Sequence, residues 1–113
     1  MNIKMKIWLE KDGQNFMGEG RIVLLRAIEE TGSINGASEK LKISFRHAWG
    51  QIKKLEKRLG IRLIEPQVGG KGGGGSKLTK EAKDLLAEFE AVSEDLHSYL
   101  EVRQSKTKLL KKL

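Results

Sequence analysis

Between Ser44 and Leu59 the chain repeats an apolar position every three or four residues. At about 100° per residue, Phe45, Ala48, Trp49, Ile52, Leu55 and Leu59 share one side. Arg46, His47, Gly50, Gln51, Lys53, Lys54, Lys57 and Arg58 share the other. This pattern predicts an amphipathic helix whose apolar side, Phe45 and Trp49 included, faces a core. Ser44 suits the N-cap, where its hydroxyl accepts a free backbone N–H, and Gly60 suits a left-handed stop.

Elsewhere the period changes. Met1–Glu10 alternates apolar Ile3, Met5, Ile7 and Leu9 with polar neighbours, which predicts a half-buried strand. Trp8 falls on its polar side. Lys11-Asp12-Gly13 is a tight-turn signal, and Gln14–Met17 can return as a second strand. Arg21–Thr31 then reads as a helix with Ile22, Leu25 and Ile28 inward, stopped at Gly32. Ser33 caps a short helix, Ile34–Leu41, and Lys42-Ile43 turns the chain into Ser44. Two short helices crossing closely need a small residue at the crossing, which Ala37 supplies, and an apolar residue under the turn, which Ile43 supplies.

Ile61–Glu65 predicts a short strand closed by Pro66, and Ser76–Thr79 its returning partner. The intervening QVGGKGGGGS is a glycine-rich hairpin tip with Lys71 in it, the position of a wing. It is not a phosphate-cradling P-loop, because no Gly-Lys is followed by Ser or Thr. GGGGS also reads as a flexible inserted linker, but the strand-like halves on either side favour a hairpin. Thr79 caps a long last helix in which Ala82, Leu85, Phe89, Val92, Leu96 and Tyr99 recur at heptad spacing. A helix of roughly 24 residues spans about 36 Å, more than a domain of this size covers. Its distal apolar stripe therefore predicts a second copy of the chain packed on Leu85, Phe89, Val92, Leu96 and Tyr99. The expected organisation is a winged helix-turn-helix over 1–79, a dimerisation helix over 80–105 and a basic tail over 106–113. The fold class is mainly α with a small β wing and an N-terminal hairpin.

Charge gives this frame a direction. The net charge of the chain is +7. Residues 40–80 carry 11 Lys/Arg against Glu56 and Glu65, hence +9, while residues 1–39 and 81–113 each sum to −1. Confinement of the positive charge around the helix-turn-helix implies a polyanionic partner. A membrane surface is the weaker reading, since it needs an apolar face left free on the same helix. With no apolar run approaching about 18 residues and no signal-peptide block, a cytoplasmic chain is expected. The absence of cysteine rules out disulfides and thiolate metal sites. The two histidines, His47 and His97, lie on separate helices, so no metal-ligand or catalytic constellation emerges, and neither enzyme activity nor a cofactor is expected.

In a helix-turn-helix the start of the second helix reaches base edges and the remainder lies along phosphates. Arg46, His47 and Gln51 are the base-reading positions, with Arg46 suited to guanine and Gln51 to adenine. Ser44, Lys53, Lys54 and Lys57 are positioned for phosphates, and Arg62, Lys71 and Lys77 for contacts from the wing. Gly50, in the middle of the basic side, would let the backbone approach a groove floor.

These features together resemble a known family. Thr31-Gly32-Ser33-Ile34, Ser44-Phe45-Arg46-His47-Ala48-Trp49 and the wing Gly69-Gly70-Lys71-Gly72-Gly73-Gly74-Gly75 before Leu78-Thr79 are similar to the N-terminal DNA-binding domain of ModE regulators, within the LysR-like winged helices. The resemblance implies a homodimer on double-stranded DNA that regulates transcription, with a link to molybdate or oxyanion transport genes. Family members sense molybdate through C-terminal domains that have no counterpart in these residues, which leaves three alternatives: constitutive DNA binding, pairing with a separate effector-sensing protein, or regulation of something other than molybdate uptake. The competing expectations are a non-specific architectural DNA- or RNA-binding protein and a protein-interaction module built on the same frame.

Overall fold

A computed structural model describes residues 2–68 and 74–112. The chain opens with a hairpin, β1 (Leu9–Lys11) and β2 (Gln14–Met17), followed by α1 (Glu19–Thr31), α2 (Ile34–Leu41) and α3 (Phe45–Leu59). A second hairpin, β3 (Ile64–Val68) and β4 (Gly74–Leu78), leads into α4 (Lys80–Ser105) and the short α5 (Lys108–Lys112). Both hairpins are antiparallel two-stranded sheets, separate from each other.

Each helix boundary has a local cause. Ser33, Ser44 and Thr79 hydroxyls accept the backbone N–H groups of Gly36, His47 and Ala82 at 2.8, 3.0 and 3.2 Å. Gly32 and Gly60 end α1 and α3 in the left-handed region at φ 80° and 71°. Lys42, at φ 58°, makes the sharp turn between α2 and α3, and the N–H of Ile43 returns to the Ser38 carbonyl at 3.0 Å.

The core lies where α1, α3 and the wing converge. Leu25 and Ile28 from α1, Ile52 and Leu55 from α3, and Leu63 and Leu78 from the wing strands and their approach are almost fully buried. Each contributes about 1.5–3 kcal/mol by leaving water. Ala82, Leu86 and Phe89 close this core from α4. Beyond Phe89 the helix leaves the body. A compact domain of about 100 residues has a radius of gyration near 13 Å, whereas this chain measures 17.1 Å with extents of 55 × 31 × 22 Å.

Several sequence expectations are corrected. The alternating stretch 1–10 pairs only from Leu9; residues 2–8 run without a strand partner and reach α4, where Gln104 Oε1 accepts the N–H of Ile3 at 2.6 Å and its amide donates to the Ile3 carbonyl at 3.1 Å. Pro66 does not close the third strand. It sits in the middle of β3 opposite Ser76, which an edge position permits because no ladder N–H is needed there. Residues 108–112 of the basic tail form a short helix, α5. Phe45 and Trp49, assigned to the core by periodicity, are 49% and 46% exposed. They lie at the edge of the apolar side, which Ala48, Ile52 and Leu55 suffice to fill.

Candidate nucleic-acid interface

The site is built on the solvent side of α3. Arg46, His47, Lys53, Lys54, Lys57 and Arg58 are all exposed along it, and Gly50 lies among them with open space where a Cβ would stand. The capping bond from Ser44 fixes the first turn, and Ser44 itself is exposed beside the free end of the helix.

Ion pairs divide these cations. Lys53 binds Glu56 at 3.2 Å and its ammonium stands 5.5 Å from the Trp49 ring centroid, so it is held against its own helix. Lys77 on β4 pairs with Glu65 at 3.6 Å. Lys54, Lys57 and Arg46 have no carboxylate partner among the described residues. Gln51 is half-buried and its amide oxygen accepts Arg21 Nε at 2.8 Å. That bond steadies the amide and leaves its oxygen a second lone pair for another donor. Lys71 lies outside the described residues, and Arg62 is exposed at the foot of the wing.

Three polar joints hold the wing, one of them to α3. The Gly32 carbonyl, at the end of α1, accepts the N–H of Ser76 at 2.8 Å and the Gln67 amide at 3.1 Å. Thr79 donates its hydroxyl to the Arg62 carbonyl at 2.7 Å and its N–H to the Leu63 carbonyl at 2.9 Å. The Glu56 carboxylate accepts the N–H of Leu63 at 2.8 Å. Burial opposes the charge of Glu56, but the bonds from Leu63 and Lys53 outweigh it and hold its pKa below the ordinary value. Sequence reading counted Glu56 only as an acid in a basic region; its structural role has no signature in spacing.

On α4, Val92, Leu96 and Tyr99 are exposed, Tyr99 at 69%, and Val102 extends their stripe. Leu85 is half-buried against the core and Phe89 is buried within it. Phe89 therefore belongs to the chain's own core, together with Leu86, and the open stripe starts at Val92. Among the described residues no three His, Cys, Asp or Glu side chains gather as a metal site, and no helix is long and apolar enough to cross a membrane.

Helix-turn-helix, wing and trailing helix together define a winged helix-turn-helix. The description "Bacterial regulatory helix-turn-helix protein, lysR family" matches residues 20–83, and the chain belongs to that family. Within it the similarity is to ModE-type proteins. The chain is 36% identical over 84 residues to the molybdenum-pterin-binding protein MopB of Rhodobacter capsulatus, covering 74% of this chain and 31% of that one. It is 39% identical over 71 residues to the transcriptional regulator ModE of Haemophilus influenzae, covering 63% and 28%. The chain thus spans about a third of the length of these relatives. Among solved structures, the BenM DNA-binding domain in complex with benA site 1 DNA matches with a TM-score of 0.59 at 23% identity, covering 78% of this chain and 96% of that one. The CbnR DNA-binding domain complexed with DNA matches at 0.58 and 21%, covering 76% and 93%. These two likenesses are of fold.

Proposed function

We propose that the chain is the DNA-binding part of a homodimeric, sequence-specific transcriptional regulator. The observation that carries this reading is the row Arg46, Lys54 and Lys57 along the solvent side of α3, without carboxylate partners among the described residues. Intramolecular acids neutralise Lys40, Lys53 and Lys77 but leave this row to an external anion. The relatives titled molybdenum transport protein ModE support a link to molybdate or oxyanion transport genes, and the DNA in the BenM and CbnR structures supports a duplex partner. In this reading Arg46, His47 and Gln51 read bases, with Gln51 steadied by Arg21. Ser44, Lys54 and Lys57 hold phosphates, and the wing with Arg62, Lys71 and Lys77 adds backbone contacts. The exposed Val92–Leu96–Tyr99 stripe of the 80–105 helix receives a second copy of the chain. Selection from randomised duplexes tests the whole: one recovered motif with two related half-sites supports the proposal, and no enrichment over random DNA refutes it.

The exposure of Phe45 and Trp49 gives a second reading its own observation. Two aromatic rings beside a basic row are a stacking platform for unpaired bases. Quenching of Trp49 fluorescence by single-stranded oligonucleotides, with tighter binding than to duplex, would favour a sequence-tolerant single-strand binder.

A further inference from the structure

The N-terminal hairpin and the C-terminal half of α3 enclose a cleft of about 750 Å³, lined by Lys11, Gln14, Arg21, Lys54, Lys57 and Arg58, with Asp12 at the turn and Asn15 on β2. The Asp12-Gly13 turn, with both residues at positive φ, folds Lys11 and Gln14 back over the end of α3. The Lys11 ammonium donates to the Arg58 carbonyl at 3.1 Å, and Arg58 Nη1 donates to the Gln14 amide oxygen at 2.6 Å. Arg21 joins the lining through Gln51. Five cations thus surround one open space, with Asp12 the single carboxylate lining it among the described residues. Burial, and after it repulsion from Arg58, lower the pKa of Arg21.

We infer that this cleft is a phosphate-binding site in which the hairpin clamps a DNA backbone phosphate between Lys11, Arg58 and Lys54. This rests on the DNA-binding reading above and adds to it an element outside the family match, which begins at residue 20. Lys11 and Arg58 each already donate one bond within the protein, which fixes their direction, and each keeps further N–H donors for phosphate oxygens. The hairpin then acts at the end of α3 as the wing does beside it, so a phosphodiester is gripped from two sides of the same helix. A free oxyanion would meet the same donors, and the experiment separates the two sources.

The test is duplex binding by the whole chain across a chloride series, for wild type, Lys11→Gln and Lys11→Arg, repeated on duplexes carrying one neutral methylphosphonate at each position in turn. Losing one phosphate contact lowers the slope of log affinity against log salt by about 0.9. Lys11→Gln is expected to show that loss and to become insensitive to the methylphosphonate that most weakens wild-type binding at its site. Lys11→Arg is expected to retain both. Wild-type binding with an unchanged slope and an unchanged scan for Lys11→Gln overturns the cleft assignment alone, whereas a wild-type chain that binds no duplex overturns the reading beneath it. Inorganic phosphate that saturates the amide shifts of residues 11–15 without weakening duplex binding assigns the cleft to a free oxyanion, and also overturns the proposal.

Discussion

Glu56 of α3 accepts the backbone N–H of Leu63 at 2.8 Å, so the recognition helix and the foot of the wing share one carboxylate. Glu56→Gln keeps an acceptor but loses its charge, and charge-assisted bonds are roughly twice as strong as neutral ones. The expected loss is about 1 kcal/mol at neutral pH. Because the folded pKa is depressed, the carboxylate stabilises fully above the unfolded value of about 4.3, and that stability is lost as pH falls through the folded pKa. Denaturant midpoints across this acid range are therefore expected to converge for wild type and variant. A gap that persists in strong acid would assign the effect to packing.

Two glycines in adjacent helices are expected to respond oppositely to alanine. At Gly36 a new Cβ would stand 2.8 Å from Thr31 Cβ and 2.9 Å from its hydroxyl oxygen. Overpacking of about 1–3 kcal/mol outweighs the helix gain of about 1 kcal/mol, so Gly36→Ala is expected to lower the melting temperature. At Gly50 nothing lies within 4 Å. Gly50→Ala is expected to raise stability by up to about 1 kcal/mol while weakening duplex binding. Unchanged affinity would remove Gly50 from the groove floor.

Arg46 and Lys57 are both exposed and unpaired among the described residues, yet they occupy different parts of α3. Arg46→Ala is expected to lose about 1–3 kcal/mol concentrated at one base position, and Lys57→Ala to weaken all sequences alike and reduce the salt slope by about 1. Affinities on a panel of single-base operator variants at several chloride concentrations check both. Equal profiles for the two variants would contradict the division of α3 into reading and holding parts.

Leu96 sits between Val92 and Tyr99 on the exposed stripe of α4. Leu96→Glu places a charge in the proposed interface and leaves the core untouched, so sedimentation is expected to show a monomer where the wild type shows a dimer. Duplex affinity should fall with it, since each half-site then binds alone. A monomeric wild type would sink the dimer.

Sequence periodicity located α2 and α3 to the residue, because Ser33, Ser44 and Gly60 each carry a local cap that needs nothing distant. It failed where tertiary surroundings decide. Phe45 and Trp49 lie on the apolar side of α3, but burial depends on what stands opposite, and among the described residues that edge is left half-open. The heptad spacing on α4 treated Phe89 as part of the outer stripe, whereas the chain's own core takes Phe89 and Leu86. The unpaired row on α3 needed knowledge of which lysines meet Glu30, Glu56 and Glu65. Of those pairs only Lys53 with Glu56 is three residues apart; the others are joined by the fold. The hairpin cleft was illegible for the same reason, since 47 residues separate Lys11 from Arg58.

The N-terminal segment runs back to Gln104, whose side-chain amide grips both backbone groups of Ile3. Since α4 leaves the body after Phe89, that grip works as a guy-rope, bracing the mast on which a second copy would be mounted. In the proposed dimer the distance between the two recognition helices depends on the angle of this mast. The half-site spacing is then partly set within one chain before its partner arrives, and cutting the rope with Gln104→Ala should make the complex tolerate operators whose halves stand closer or farther apart.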